Sequence, residues 1–469
     1  MKPLVAALFL TSAAGLLSAA AMPGYVPGED RPGGAATSGK LRNANAFSHP
    51  SADMPFERQL EFRIGDGIFK KQWVSAPSST ESSDGLGPLF NARACQNCHF
   101  KDGRGHPPED GETASSFLIK LAVPARTGAH HVAAVPDPVY GGQLQTQAIQ
   151  GLDAEARVTL AEEDVPVTLA DGETVTLKKL DYRLSDLAYG PMGPNVMTSP
   201  RVAPPMIGMG LLELIPDEDI VSRADPDDRD GDGIRGVPQR VWSRVHQREM
   251  LGRFGWKAGA PTVPDQAAMA FSNDMGLSTP VMPASAGDCT EAQTDCREAP
   301  DGADESEHAE VTRKLFDLVV FYARNLAVPA RVDAQDPKVL HGGKLFRDIG
   351  CAACHVPSHV TGKSADLPFL ANQTIWPYTD LLLHDMGEGL ADDFPEGVAS
   401  GRQWRTPPLW GIGLTETVSG QMRLLHDGRA RTVQEAILWH GGEGEGARDR
   451  YRNLSREDRE ALLAFVDSL

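Results

Sequence analysis

Two five-residue stretches carry the chemistry of this chain: Cys351-Ala-Ala-Cys354-His355 and Cys95-Gln-Asn-Cys98-His99. Two thiols three positions apart, followed at once by an imidazole, form the attachment pattern of a c-type haem. On one helical turn the thiols reach the two vinyl groups of a porphyrin. The next residue then turns a ring nitrogen towards the iron as its proximal ligand. A redox dithiol and half of a zinc site also use Cys-x-x-Cys. The dithiol does not need the trailing His, and the zinc site needs two further ligands close by. Repetition of the whole pattern decides for two covalently bound haem c groups.

An iron held by one His is five-coordinate and binds peroxide or dioxygen, whereas a second strong ligand makes it mainly an electron carrier. Function therefore turns on the sixth ligands. For the first motif the candidates are His106, His130, His131, Met206, Met209, His246 and Met275. His106 follows too closely on the motif to fold over the far side easily, and Met206 and Met209 suit a core. The other two cysteines, Cys289 and Cys296, lie in a Gly-, Asp- and Thr-rich loop with no His or further Cys beside them. A short-loop disulfide is the expectation, with metal binding the weaker alternative. Every cysteine then has an occupation, which leaves no thiol for redox work. Asp228, Asp230 and Asp232 alternate ahead of Gly233 like the start of a calcium loop. No acidic residue closes that loop at its twelfth position, so a calcium site and an acidic solvated turn both stay open.

The elements that must position these residues follow from pattern. The chain has 469 residues, enough for about two to three domains. Its net charge of −19 disfavours nucleic acid and anionic membranes as partners and favours a basic or polar redox partner. Residues 1–21 read as an export signal, with Lys2 ahead of an apolar core and small residues at 18–21. That core is too short to span a bilayer, and no later stretch does better. Export agrees with haem c, which is attached on the oxidising side of the membrane; in a bacterium that is the periplasm. Residues 22–55 are rich in Gly, Pro, Ser and Ala and read as a flexible arm.

A first haem domain is expected over 56–300 and a second over 307–469. A small β insertion falls at about 140–187, where Ala156–Leu160, Val165–Leu169 and Thr174–Leu177 are short β-type runs around an Asp171-Gly172 turn. Helical spacing runs from Val311 to Leu326, and Ser455-Arg-Glu-Asp458 opens a final helix like a capping box. Two echoes suggest duplication of one unit. One pairs Arg201-Val-Ala-Pro-Pro205 with Arg405-Thr-Pro-Pro408, and the other pairs Asn273-Asp-Met-Gly276 with His384-Asp-Met-Gly387. The expected fold is mainly α: two cytochrome c-like domains related by duplication, with a small β insertion in the first.

Several stretches together resemble a known group. They are both haem motifs, Gly87-Pro-Leu-Phe-Asn91, Phe254-Gly-Trp-Lys257, Asp380-Leu-Leu-Leu-His384-Asp-Met-Gly387, Arg405-Thr-Pro-Pro408 and His426-Asp-Gly with its downstream helix. The chain is similar to the dihaem oxidoreductase branch, often labelled thiol oxidoreductase-like, of the bacterial dihaem cytochrome c peroxidase and MauG superfamily. The likeness covers most of 56–128 and 180–280 and nearly all of 310–469. It implies that His440, fourteen residues after His426, is the sixth ligand of the C-terminal haem, where peroxidases commonly carry Met. Arg405 is then a propionate partner, and His384 and His426 are structural.

The family's Trp between the haems is missing from its usual place, which reads Leu211-Leu-Glu-Leu-Ile-Pro216. Trp256 and Trp404 are the available replacements. Glu213 is the one carboxylate in that apolar run, a candidate for distal acid–base work or for a salt bridge. The resemblance implies an exported oxidoreductase that takes electrons from a small redox protein or a quinol-linked donor. A C-terminal relay haem passes them to an N-terminal catalytic haem that meets peroxide or another small oxidant. Two alternatives remain: a purely electron-transferring dihaem cytochrome, and a dioxygen-dependent oxidase of an organic or protein substrate.

Overall fold

The computed structural model describes residues 24–109, 112–125 and 133–469. The expected export signal at 1–21 and the candidates His130 and His131 lie outside the described residues. Eight helices matter to the site. They are α1 (Gln59–Phe69), α2 (Cys95–Cys98), α3 (Val263–Met275), α4 (Arg313–Arg324), α5 (Pro337–Asp348), α6 (Val433–Trp439), α7 (Glu445–Arg452) and α8 (Arg456–Ser468). Side chains start four of them. The Thr262 hydroxyl accepts from the Asp265 amide, Asp336 from Lys338 and Val339, Thr432 from Glu435, and Ser455 from Asp458. Each satisfies amides that a helix N-terminus leaves free.

The two Cys-x-x-Cys-His motifs are framed alike. A helix leads into each motif and is crossed by a later helix: α1 by α4, and α5 by α8. Both crossings are closed by a glycine. A Cβ on Gly65 would strike the Leu318 carbonyl and the Tyr322 side chain, and one on Gly342 would strike the Ala461 carbonyl and the Phe465 side chain. The backbones approach this closely only because neither glycine has a side chain. Beyond each crossing, a phenylalanine braces the motif's imidazole. Phe69 lies 6.3 Å from the His99 ring and 5.3 Å from Tyr322, and Phe346 lies 6.2 Å from His355 and 5.2 Å from Phe465.

The Pro-Pro echo is reciprocal in space. Gly208 abuts the Trp410 ring, and Gly411 abuts Ile207 and Phe47. Each copy therefore packs on the other's equivalent, as self-complementary surfaces do about a two-fold axis. The second echo behaves differently. Asn273-Asp-Met-Gly276 ends helix α3, whereas His384-Asp-Met-Gly387 runs along and out of a strand. It also falls on opposite sides of the Pro-Pro segment in the two halves, so it marks no repeated element.

Strands β1 (Phe117–Pro124) and β4 (Met197–Val202) pair antiparallel, Phe117 opposite Val202. Between them in the chain, β2 (Arg157–Thr168) and β3 (Thr174–Ser185) form a two-stranded hairpin, Thr168 opposite Thr174, turning at Asp171-Gly172 with Gly172 at φ 87°. The first two short runs expected from sequence are one twelve-residue strand. Pro166 does not interrupt it, because a two-stranded ribbon leaves one edge of each strand without ladder bonds.

Helices account for 29% of the structure, beside six small sheets and no barrel among the described residues. The mainly helical expectation therefore holds only for the elements at the crossings; most of the chain is loop wrapped around the two motifs. Residues 24–55 are not a trailing arm. Ala36 and Phe47 are buried, the Ser38 amide donates to Val328, and the Ser48 hydroxyl donates to Asp102 three residues after His99. Gly and Pro in that stretch shape turns against a core rather than a loose chain. The largest apolar cluster takes Phe47, Ile207, Val319, Trp410 and Leu414, from both sides of residue 300. Among the described residues, no helix is long and apolar enough to cross a membrane.

Candidate haem-binding sites

At the second motif, Nδ1 of His355 donates to the Tyr378 carbonyl at 3.0 Å. A carbonyl only accepts, so the tautomer is fixed and Nε2 keeps its lone pair for a metal. His440 repeats the arrangement, its Nδ1 donating to the Ala436 carbonyl at 2.7 Å. Both imidazoles line one cavity with Cys351, Cys354 and Arg405. Burial pulls the His355 pKa down to about 4 and lowers that of His440, so both rings are neutral, the form that ligates. The cavity is walled mostly by apolar groups, among them Leu409, Trp410, Val433, Ile437, Leu462 and Val466. A largely apolar macrocycle suits this lining.

Its polar ends fit two carboxylates. Arg104 and Arg405 both reach the cavity, and burial pulls each guanidinium down to about 10. Arg405 donates to the Gly255 and Thr406 carbonyls at 2.9 and 3.0 Å. Arg104 donates to the Leu425 carbonyl, but its Nε is buried without an acceptor among the described residues. Leaving such a donor unpaired costs about 1–3 kcal/mol, which a propionate would relieve. The Arg104 contribution was not legible in sequence, because Arg104 belongs to the other motif's loop.

The remaining residues named from sequence fall into place around this cavity. His384 is clamped between Asp380 (2.8 Å) and Glu443 (2.6 Å), with the Cys354 sulfur 3.7 Å from its Nδ1. Burial opposes charge on this ring, but the bonds to Asp380 and Glu443 outweigh it and hold its pKa well above the usual value. It is a doubly donating tie between loops. The His426 ring stacks on Trp404 at 3.7 Å, and burial pulls its pKa down to about 3. Trp256 lines the cavity while Arg104, five residues beyond His99, sits 5.3 Å over its ring. That sets this indole between the cavity and the Arg104 loop.

At the first motif, Nδ1 of His99 donates to the Pro204 carbonyl at 2.8 Å, and burial pulls the ring down to about 4. Cys95, His99, Lys120 and Asp274 are half-buried around the first motif. Burial, with Asp274 adding to it, pushes the Cys95 thiol up to about 12, and burial pushes Cys351 to about 12. Reactive dithiols have lowered values, so these cysteines suit attachment and not thiol exchange.

No sixth ligand for the first motif emerges among the described candidates. His246 is exposed, and His106 turns its Nδ1 to the Pro107 carbonyl. Met206 donates its amide to the Asp102 carbonyl, and Met206 and Met275 are buried and Met209 half-buried in the apolar core. Glu213 ties Arg324 at 2.6 and 3.0 Å and accepts from the Val263 amide, so its carboxylate serves the salt-bridged role. Cys289 and Cys296 form a disulfide with Cα atoms 6.1 Å apart. Asp228, Asp230 and Asp232 cluster at an exposed turn, where each carboxylate accepts a backbone amide of the same loop.

One structural match went unread in the sequence. Phe254 and Ala260 close a loop that leads to the Thr262 cap, and Leu424 and Ala430 close one that leads to the Thr432 cap. Ala260-Pro-Thr-Val-Pro-Asp265 and Ala430-Arg-Thr-Val-Gln-Glu435 share only three residue types, too few to stand out. Counting from the caps sets Trp256 at the place of His426 and Ala270 at the place of His440. Ala270 lies one helical turn before Asp274, on the same face of α3.

The chain matches the family model described as "Di-haem oxidoreductase, putative peroxidase" over residues 25–469. A comparison with curated proteins finds no match. With the match running through both motifs and the helices that frame them, the chain belongs to the di-haem oxidoreductase family.

Proposed function

We propose that this protein is an exported peroxidase-like oxidoreductase with two covalently attached haem c groups, one a relay and one an open catalytic site. The observation that carries the reading is the contrast between His440 and Ala270 at matched places. Cys351 and Cys354 would hold the second group, and His355 and His440, which line the same cavity, would be its protein ligands. Cys95, Cys98 and His99 would hold the first, and the position at the matched count from the helix cap, 270, is an alanine. The bound haem supplies a one-electron store at each site and, where its sixth position is free, a Lewis-acidic iron for a small oxidant.

The protein's own residues do the rest. The Pro204 and Tyr378 carbonyls fix which nitrogen faces each metal, as ligand-orienting partners do. Trp256, which lines the cavity beside Arg104, is the available replacement for the family's bridging Trp. Asp274 and Lys120 attract each other beside the first motif's cysteines, and burial raises the Asp274 carboxyl. That pair can hold a proton next to the open site. The matched helix crossings, braced imidazoles and reciprocal Pro-Pro contacts support descent of both halves from one cytochrome unit. The Cys289–Cys296 disulfide supports an oxidising compartment, the periplasm in a bacterium.

Peroxide reduction consumes two electrons and two protons to give two waters, and the two sites store one electron each. Titrating fully reduced protein with hydrogen peroxide should therefore reoxidise both sites at about one equivalent. Reoxidation no faster than that of a simple two-ligand cytochrome would instead leave an electron-transfer protein.

A further inference from the structure

The β2–β3 hairpin has no part in the chemistry above, yet it is the longest regular pairing in the molecule. Its two halves bury opposite faces. Near the base, Val158, Leu160, Tyr182 and Leu184 join a cluster with Phe117 and Trp256. Near the tip the buried side switches to Val165, Val167, Val175 and Leu177, which pack with Val433, Leu438 and Tyr451 of the second half. Leu169 and Leu177 are only 3% and 2% exposed there. A ribbon with one solvated side would keep one alternation throughout. The switch means the hairpin spans from one half to the other.

Polar contacts lock the tip. Arg431, just before the Thr432 cap of α6, donates to the Thr176 carbonyl at 3.0 Å and pairs with Glu435 inside α6 at 2.8 Å. The Ala170 amide donates to the Arg452 carbonyl, and Arg452 donates to the Thr168 carbonyl at 3.1 Å. Arg459 of α8, its side chain 3% exposed, holds Asp171 at 2.7 Å and Glu173 at 3.0 Å. The tip is thus tied to α6, α7 and α8, and α6 is a two-turn helix that ends at His440.

We propose that the hairpin is a clamp that positions His440: it pins the short α6 so that the second imidazole stays at the relay site. An isolated helix of seven residues is unstable in water, so its position depends on what packs over it. Its cover outside the cavity includes the hairpin tip together with α7 and α8. Leu177, Arg431 and the tip carbonyls are positioning residues acting through α6.

The inference rests on His440 being a ligand, and the test separates the two claims. Ferric holoprotein carrying Leu177→Asp is compared with wild type, with His440→Ala, and with the milder Arg431→Gln, whose side chain is 36% exposed. The clamp predicts that Leu177→Asp loses low-spin signal at the second site and that added imidazole restores it. Arg431→Gln should show the same change to a smaller extent. Hairpin variants that melt earlier but keep the wild-type spectrum and take up no imidazole would overturn the clamp. If Leu177→Asp does not fold, Arg431→Gln decides on the same readouts. A low-spin signal that survives His440→Ala would overturn the ligand reading itself.

Discussion

Replacing His440 with alanine is expected to turn the second site from a six-coordinate to a five-coordinate centre, with a high-spin ferric spectrum and new affinity for external imidazole. His440 lines the cavity with Nδ1 already committed to Ala436, and the α6 side chains that share the lining, Val433, Ala436 and Ile437, cannot ligate. Imidazole favours ferric over ferrous iron. If that preference is about a hundredfold, its loss raises the potential of the site by about 120 mV, at about 59 mV per tenfold for one electron. A relay at higher potential gives up electrons less readily, so turnover with peroxide should fall while the first site's own spectrum stays as it was. Redox titration of the variant measures both effects. An unchanged potential and spectrum would remove His440 from the metal.

The converse change, Ala270→His, is expected to close the first site. Position 270 matches His440 in its distance from the helix cap, and it shares a face of α3 with Asp274 beside the first motif's thiols. An imidazole bound there about 99% of the time would slow reaction with peroxide by about a hundredfold, because only the open fraction reacts. Ala270→Leu fills the same space without ligating. It should slow the reaction sterically but leave the ferric signal high-spin. Stopped-flow mixing with peroxide, read beside the spectra, distinguishes the two. Equal rates in both variants and wild type would place the reacting face elsewhere.

How far the sequence reaches depends on how local each constraint is. Cysteine spacing is fixed by covalent geometry within one turn, so both motifs were legible at once, and the capping box at Ser455 was legible for the same reason. His440 became legible only through resemblance, since nothing in a lone imidazole before Gly441-Gly442 declares what it faces. The Asn273–Gly276 echo misled because three matching letters carry no information about order or local structure. Helix α3 and the strand at Leu383–Asp385 adopt different conformations under nearly the same letters.

The useful match, between Phe254–Asp265 and Leu424–Glu435, resides in a loop closure and a threonine cap, which tolerate almost any side chain between them. Composition also misjudged residues 24–55, where Gly and Pro serve tight turns in a packed segment. The hairpin was visible from its alternation and its Asp-Gly turn. What its tip packs on was not, because the partners lie more than 250 residues away in α6, α7 and α8.

The central claim is that one iron has two protein ligands and the other has one. Electron paramagnetic resonance of the ferric holoprotein, repeated after half-reduction, tests it directly. One low-spin signal is expected from the His355–His440 site, together with a high-spin signal present from the start or appearing on half-reduction. Peroxide should abolish or shift that high-spin signal. Two low-spin signals that persist through half-reduction and do not respond to peroxide would contradict the account and leave an electron-transfer protein.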